Sequence, residues 1–338
     1  MPLRVVAIGG GTGLSTLLRG LRGHVAVPGL ALPSNGLPAY IADLAAIVTV
    51  TDDGGSSGRL RKDFNILPPG DLRNCMVALS EDEKLLTKLF SHRFRSGLGL
   101  EGHSLGNLFV AALVEITGDF AQAIQLASQV LATRGRIIPA TLSDATLMAR
   151  MVDGSIVRGE TNITADKSRI KELYLEPAVC LPLPGTLEAI AAADLITMGP
   201  GSLYTSLITN LLVRDVPETL RKARGVRVFI CNLMTQANES LNLTASEHIE
   251  RIFEHAGGRI FDYALVNTAP ISADVLARYA VEGSAPIEAD AERIERLGVR
   301  CITGDFAGSD TVVRHIGDRV TETLLRLGAT AREAKVAH

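Results

Sequence analysis

Short apolar runs rich in β-branched residues alternate with segments whose apolar positions recur three and four residues apart, and this alternation continues through most of the chain. The runs read as strands buried on both faces, and the intervening segments as amphipathic helices. Strands are predicted over 4–8, 45–51, 194–198, 226–231, 260–266 and 299–302. Helices are predicted over 14–21, where Leu14, Leu17, Leu18 and Leu21 share a face, and over 72–79, 81–90, 105–116, 119–131, 185–192, 203–212, 246–255 and 317–327. Residues 24–40 are rich in Pro and Gly and read as a loop. Over 136–176 apolar and polar residues alternate, with Asp153-Gly154 as a hairpin signal, so a small β-rich subregion is expected over 136–180. Residues 329–338 read as a frayed tail. The expected architecture is α/β: one domain over 1–328 with a mostly parallel, doubly wound sheet.

In such sheets ligands bind beyond the carboxyl ends of the strands. Three predicted strands end in glycine-rich turns: Gly9-Gly10-Gly11-Thr12-Gly13, Gly54-Gly55-Ser56-Ser57-Gly58, and Gly199-Pro200-Gly201-Ser202. Two more end in Asn232 and Asn267. Glycine lets backbone approach an anion, and a helix N-terminus faces it with free N–H groups. The first turn is neither a Walker loop nor a clean GxGxxG, and a plain βα turn would look the same. Several such turns on one edge describe a crevice for a phosphate-bearing ligand. The second turn is preceded by Asp52 and Asp53 and followed by Arg59 and Arg61. Adjacent carboxylates repel, so folding alone does not call for them; they suit a sugar hydroxyl or a metal, and the arginines suit an anion.

Further along, Asp71 follows two prolines and a glycine, where it could cap a helix or bind a ligand. Arg73 and Asn74 would stand on the first turn of that helix. His103 sits among glycines at another helix entrance, followed by Asn107; a structural histidine is the alternative.

With 338 residues and 46% hydrophobic content the chain can bury a large core. A net charge of −3, no Trp and 4% aromatics argue against nucleic acid as a partner. No apolar run reaches the about 18 residues of a membrane span. Cys75, Cys180, Cys231 and Cys301 are far apart, without CxxC spacing, which favours free thiols in a reducing cytoplasm over disulfides or zinc.

The stretches GGGTGLSTLLRGL, VTVTDDGGSSGRLR, PPGDLRNCMVAL, GHSLGNLFVAAL, DGSIVRGETNI, MGPGSLYTSLITNLL and CNLMTQANES resemble the YvcK-like gluconeogenesis-factor proteins, relatives of the CofD 2-phospho-L-lactate transferases. The resemblance runs in register from about residue 4 to about residue 327. It implies a Rossmann-like core and a cytoplasmic, homo-oligomeric protein. It also implies binding of a nucleotide sugar, UDP-N-acetylglucosamine, and a need for the protein in cell shape and wall synthesis under gluconeogenic growth. The transferase relatives move a phospholactyl group to a deazaflavin with a divalent metal, for which Asp52 and Asp53 would be ligands of Mg²⁺. Where those relatives continue with an acidic segment, this chain has Gly-Gly-Ser-Ser-Gly-Arg. The loop over 24–40 is longer than expected, Thr209 stands where a proline usually precedes the asparagine, and Ala237-Asn238-Glu239-Ser240 replaces Pro-Gly-Glu-Thr.

Two readings follow, with a nicotinamide oxidoreductase ranked third for want of a fingerprint. The first is a non-catalytic binder of a nucleotide sugar or another nucleotide. Backbone N–H groups of Gly10, Gly11, Thr12, Gly13, Gly201 and Ser202 take the diphosphate; Asp52, Asp53, Asn74 and Asn107 take ribose, sugar or base; Arg73 adds charge. Ser56, Arg59, Asp71, His103, Gly199, Thr205 and Asn232 complete the candidate set. The alternative is a phosphoryl-group transferase with Mg²⁺ held by Asp52, Asp53 and Asp71.

Overall fold

The computed structural model describes residues 1–29, 31–33, 36–81, 85–237, 239–308 and 312–336. Its first half contains β1 (Pro2–Gly9), α1 (Gly11–Arg22), β2 (Tyr40–Val48), α2 (Gly55–Phe64), α3 (Gly70–Leu79), α4 (Leu85–Ser91), α5 (Leu105–Thr117), α6 (Phe120–Val130) and β3 (Arg136–Pro139). An annex follows: β4 (Thr146–Met151), β5 (Ile156–Arg158), α7 (Glu160–Ala165) and β6 (Ile170–Glu176). The chain returns through α8 (Thr186–Ala192) and β7 (Leu195–Met198) to a π-helical turn (Leu203–Ile208), α9 (Thr209–Leu211) and α10 (Val216–Lys222). It closes with β8 (Val226–Ile230), α11 (Ala245–Ala256), β9 (Tyr263–Asn267), α12 (Ala273–Ala280), α13 (Ala291–Arg296), β10 (Arg300–Gly304) and α14 (Gly317–Val336).

The main sheet has the order β10-β9-β8-β7-β1-β2-β3, and every pairing in it is parallel. Strand order therefore runs outward in both directions from the β1–β7 pair, which is the switch point of a doubly wound fold. Alternation along β1 divides the core. Val6 and Ile8 face one apolar layer with Ile47, Ile196, Met198 and Phe229. Val5 and Ala7 face the other, where α1, α3 and α14 supply Leu14, Leu18, Leu72 and Leu324. Both faces are covered, which explains why these strands read as continuous apolar runs. No helix among the described residues is long and apolar enough to cross a membrane.

The structure alters several expectations. The β-rich subregion was drawn too wide: β3 joins the main sheet, pairing Ala45–Val48 register with β2, and only β5-β4-β6 form the small antiparallel sheet. The hairpin at Asp153-Gly154 is present between β4 and β5. β2 starts and stops earlier than 45–51: it pairs with β1 from Tyr40 to Val48, and its first half carries Asp43, which pairs with Arg136 at 2.6 Å. The glycine–serine stretch after Asp53 is the first turn of α2 rather than a loop. Asp71 does not cap α3, whose N-cap is Pro69.

The helix expected over 203–212 is split. Thr209 Oγ1 donates to Tyr204 O at 2.9 Å and Asn210 Nδ2 to Ser206 O at 2.6 Å, and the backbone widens into a π turn. The closing helix continues to Val336, past the predicted end at 327. Part of the helix expected over 81–90, and Asn238 of the altered turn, lie outside the described residues. The four cysteines are free, three of them buried.

Candidate functional site

The loops that follow β1 and β7 meet at the switch point. A Cβ on Gly13 would lie 2.3 Å from Pro200 O, so the two turns pack backbone against backbone. Above them opens a crevice of about 730 Å³. Gly10, Gly11, Thr12, Gly13, Gly201, Ser202 and Asn232 line it, together with Asp52, Asp71 and Asn74 from the other side of the switch point. The turns beginning at residues 9 and 199 line this crevice, whereas the turn at residue 54 sends only the preceding Asp52 into it; Gly54, Gly55 and Ser56 line a smaller chamber beside it.

Some expected donors are already engaged. Asn232 Oδ1 accepts from Gly201 N at 3.0 Å, and Asn232 Nδ2 donates to Gly201 O at 2.7 Å. Asn232 thus fixes the second turn, and the Gly201 amide is not free for a ligand. The Gly11 amide donates to Asp71. Thr12 and Gly13 stand in the first turn of α1, whose N–H groups have no partner inside the helix. Ser202 Oγ accepts from Gln236 Nε2 at 3.0 Å. Gly199 lies beneath the crevice, its N–H donating to Ile8 O, and Thr205 Oγ1 donates to Glu239 Oε1 at 3.1 Å, away from the lining.

Four carboxyls line the crevice: Asp52, Asp71 and Glu160 on one side, and the exposed Glu282 on the far wall. Burial, and secondarily the charge of Asp52, raise Asp71 to about 6. Burial also lifts Glu160 well above the usual carboxylate range, with Asp52, Asp71, Glu239 and Asp53 adding repulsion. Glu160 Oε2 is buried without a hydrogen-bond partner. A protonated carboxyl there can donate to a ligand oxygen. Asp52 and Asp53 diverge. Asp52 Oδ1 accepts from Gly54 N at 2.9 Å. Asp53 Oδ1 accepts from Thr161 N at 2.9 Å and from Thr161 Oγ1 at 2.6 Å. Asp53 therefore ties the annex to the main domain and seats Glu160, one residue before Thr161. Among the described residues no group of three or more His, Cys, Asp or Glu is arranged to hold a metal ion. A cation brought in with a nucleotide would need only one or two of these carboxylates, with phosphate and water completing its shell.

A smaller chamber adjoins the crevice. It is lined by Asp52, Ser56, Asp71, Arg73, Asn74 and Asn107, among others. Asn107 Nδ2 donates to Ser56 Oγ at 3.1 Å, which leaves the Ser56 hydroxyl proton for His103 Nδ1 at 3.0 Å. Burial and then Arg59 lower His103, which favours its neutral form. Asn107 Oδ1 and Arg73 Nε are buried and unpartnered. Arg59 lies outside both chambers, its Nη2 donating to Glu101 O at 2.7 Å. Arg61 forms an ion pair with Asp144. Asn267 lies at the end of β9 but serves its own loop, accepting from Phe306 N and Ala307 N.

Sequence reasoning missed the far wall of the crevice: Thr235 and Gln236 after β8, Tyr279 and Ser284 around α12, and Arg314 and His315 before α14. His315 Nε2 lies 3.0 Å from Cys231 O, and burial lowers its pKa to about 4. Apart from Tyr279, which lies near the end of α12, these residues come from irregular segments without glycine clusters. Glu160 had a signal, a carboxylate just after Gly159 in the hairpin region.

The fold and site define a doubly wound α/β protein with a ligand crevice at its switch point. The family model of 2-phospho-L-lactate transferase CofD matches residues 5–307, and the chain belongs to that family. It is similar to the gluconeogenesis factor of Halalkalibacterium halodurans, 47% identical over 322 residues, which are 95% of this chain and 95% of that one. It is likewise similar to the gluconeogenesis factor of Bacillus subtilis, 43% identical over 325 residues, 96% of this chain and 98% of that one. A crystal structure of a UPF0052 family member from Bacillus halodurans superposes with a TM-score of 0.89 at 46% identity, covering 96% of this chain and 99% of that one.

Proposed function

We propose that the switch-point crevice binds a nucleotide sugar, UDP-N-acetylglucosamine, and that the protein acts as a cytoplasmic regulator of cell shape and wall synthesis rather than as a catalyst. The observation that carries this reading is the backbone contact between the Gly13 and Pro200 turns. It presents the start of α1 to a pyrophosphate at the place where doubly wound folds hold nucleotides. The crevice is also large enough for a nucleotide and a sugar, at about 730 Å³. Asp52, Asn74 and Glu160, whose raised pKa favours its proton-bearing form, supply acceptors and donors for hydroxyl and carbonyl groups. The relatives named gluconeogenesis factor support the physiological setting.

A second reading is a phosphoryl-group transferase, favoured by the family match and by the cluster of Asp52, Asp71 and Glu160 in one crevice. On that reading the cation arrives with the nucleotide, since the protein donors do not form a set for it. Calorimetric titration with UDP-N-acetylglucosamine, GTP and NAD, with and without Mg²⁺, tests both. Tight UDP-sugar binding that ignores Mg²⁺ is expected. Binding of GTP only with Mg²⁺, followed by product formation with a phospho-acid, would replace the regulator by the transferase.

A further inference from the structure

A second cavity, of about 280 Å³, lies between the annex and the loop after β8. Its walls carry Lys167, Arg169, Lys171 and Arg251, and its floor holds Tyr204 and Glu239. Lys167, Arg169 and Lys171 lie on the chain that bends at Ser168 and leads into β6, all three lining the cavity while Ile170 between them is buried. All three cations are exposed, and among the described residues none forms an ion pair; Arg251 pairs with Glu254 at 2.8 Å. A solvated basic strand face would look the same at its rim.

The floor is what a solvated face does not explain. Glu239 Oε1 accepts from Thr205 Oγ1 at 3.1 Å, but its Oε2 is buried with no partner. Leaving a buried acceptor unmade costs about 1–3 kcal/mol, and such groups occur where a ligand completes them. Tyr204 is buried beside it, in the field of Arg251, Glu239 and Arg169. The pocket thus has a cationic mouth, apolar flanks from Leu241 and Leu243, and at its base a carboxyl held by Thr205 and the Tyr204 backbone with one oxygen left unpartnered. A phosphate at the mouth and a hydroxyl at the base would satisfy both ends.

We propose that this cavity is a second ligand site, separate from the switch-point crevice, for a small phosphorylated sugar or polyol. It is built on the back of the same element. Thr205 belongs to the π turn whose Ser206 lines the crevice, and Gln236, in the same loop as Glu239, binds Ser202 there.

Titration of the full chain with glucose 6-phosphate, and separately with inorganic phosphate, tests the site. Glucose 6-phosphate is expected to bind once per chain. Arg169→Ala and Lys171→Ala, both at exposed positions that leave the core intact, weaken it roughly tenfold each while leaving UDP-N-acetylglucosamine binding unchanged. Glu239→Gln weakens glucose 6-phosphate several-fold more than inorganic phosphate, which brings no carbon-bound hydroxyl to the base. Asp52→Ala, in the crevice, leaves glucose 6-phosphate binding as it was. Absence of binding at about 10 mM ligand, a concentration that would reveal even a millimolar site, overturns the proposal. So does loss of glucose 6-phosphate binding in Asp52→Ala but not in Arg169→Ala, because the sugar phosphate would then occupy the crevice.

Discussion

Gly13 and Pro200 belong to loops nearly two hundred residues apart, yet a single added carbon on Gly13 would stand 2.3 Å from the Pro200 carbonyl oxygen. No rotamer change relieves a clash with backbone. Gly13→Ala is expected to push the turns apart, cost about 1–3 kcal/mol of stability, and abolish UDP-N-acetylglucosamine binding. Thermal melting with calorimetry at a temperature where the variant is folded checks this. Unchanged affinity would show that the junction of the two turns does not hold the ligand.

Asn232 is expected to matter through the turn it fixes. Asn232→Ala removes both hydrogen bonds to Gly201 and should weaken nucleotide-sugar binding roughly tenfold or more, with a loss of about 1–2 kcal/mol in stability. Asn232→Asp keeps the acceptor for Gly201 N, loses the donor to Gly201 O, and adds a negative charge beside an anion site. It should therefore bind worse than the alanine variant. A reversed order would mean that Asn232 does not sit near the phosphates.

Asp53 and Thr161 form the link that brings Glu160 to the crevice. Asp53→Ala and Thr161→Ala should each weaken ligand binding without unfolding the protein, and the double variant should be little worse than either. A double-mutant cycle in binding free energy should return a coupling of roughly 0.5–3 kcal/mol. Strict additivity would place Asp53 in direct contact with the ligand instead.

Asp71 makes stability depend on pH in a stated direction. Its carboxyl titrates near 6 in the folded protein and near 3.8 when exposed in the unfolded chain, so the folded state holds the proton more tightly. Stability is greatest below about pH 4 as far as this group is concerned, falls as pH rises through 4 to 6, and is flat above. The shift bounds the loss at about 3 kcal/mol. Glu160 and Glu239, also raised, contribute with the same sign. Asp71→Asn should flatten the lower part of this slope in denaturant unfolding and raise the melting temperature at pH 7. A slope unchanged in Asp71→Asn would assign it to the two glutamates.

The alternation of apolar runs and amphipathic segments was enough to read the doubly wound sheet and the rim where its turns collect. Gly10, Thr12, Asp52 and Ser202 were legible as crevice residues because several glycine-rich turns fall at the ends of strands in one parallel sheet. Three kinds of detail were not legible. The π turn depends on Asn210 reaching both Ser206 O and Gly9 O, a tertiary bond with no local pattern. The divergence of Asp52 and Asp53 depends on Thr161, from the annex. Gly55 and Ser56 begin a helix despite their turn-like composition, because the burial of Leu60 decides that segment. In each case contacts remote in sequence outweighed local preference.

The closing helix covers what the first strand needs. Val320, Leu324 and Leu325 of α14 share an apolar layer with Leu3 and Val5 of β1, and Arg332 reaches both Pro2 O and, at 3.3 Å, Asp194. A nascent chain emerging from the ribosome therefore exposes the middle of its own sheet until α14 has been made. Assembly of the central layer has to wait for α14, and truncation before it would leave a sticky intermediate for chaperones or proteases to handle.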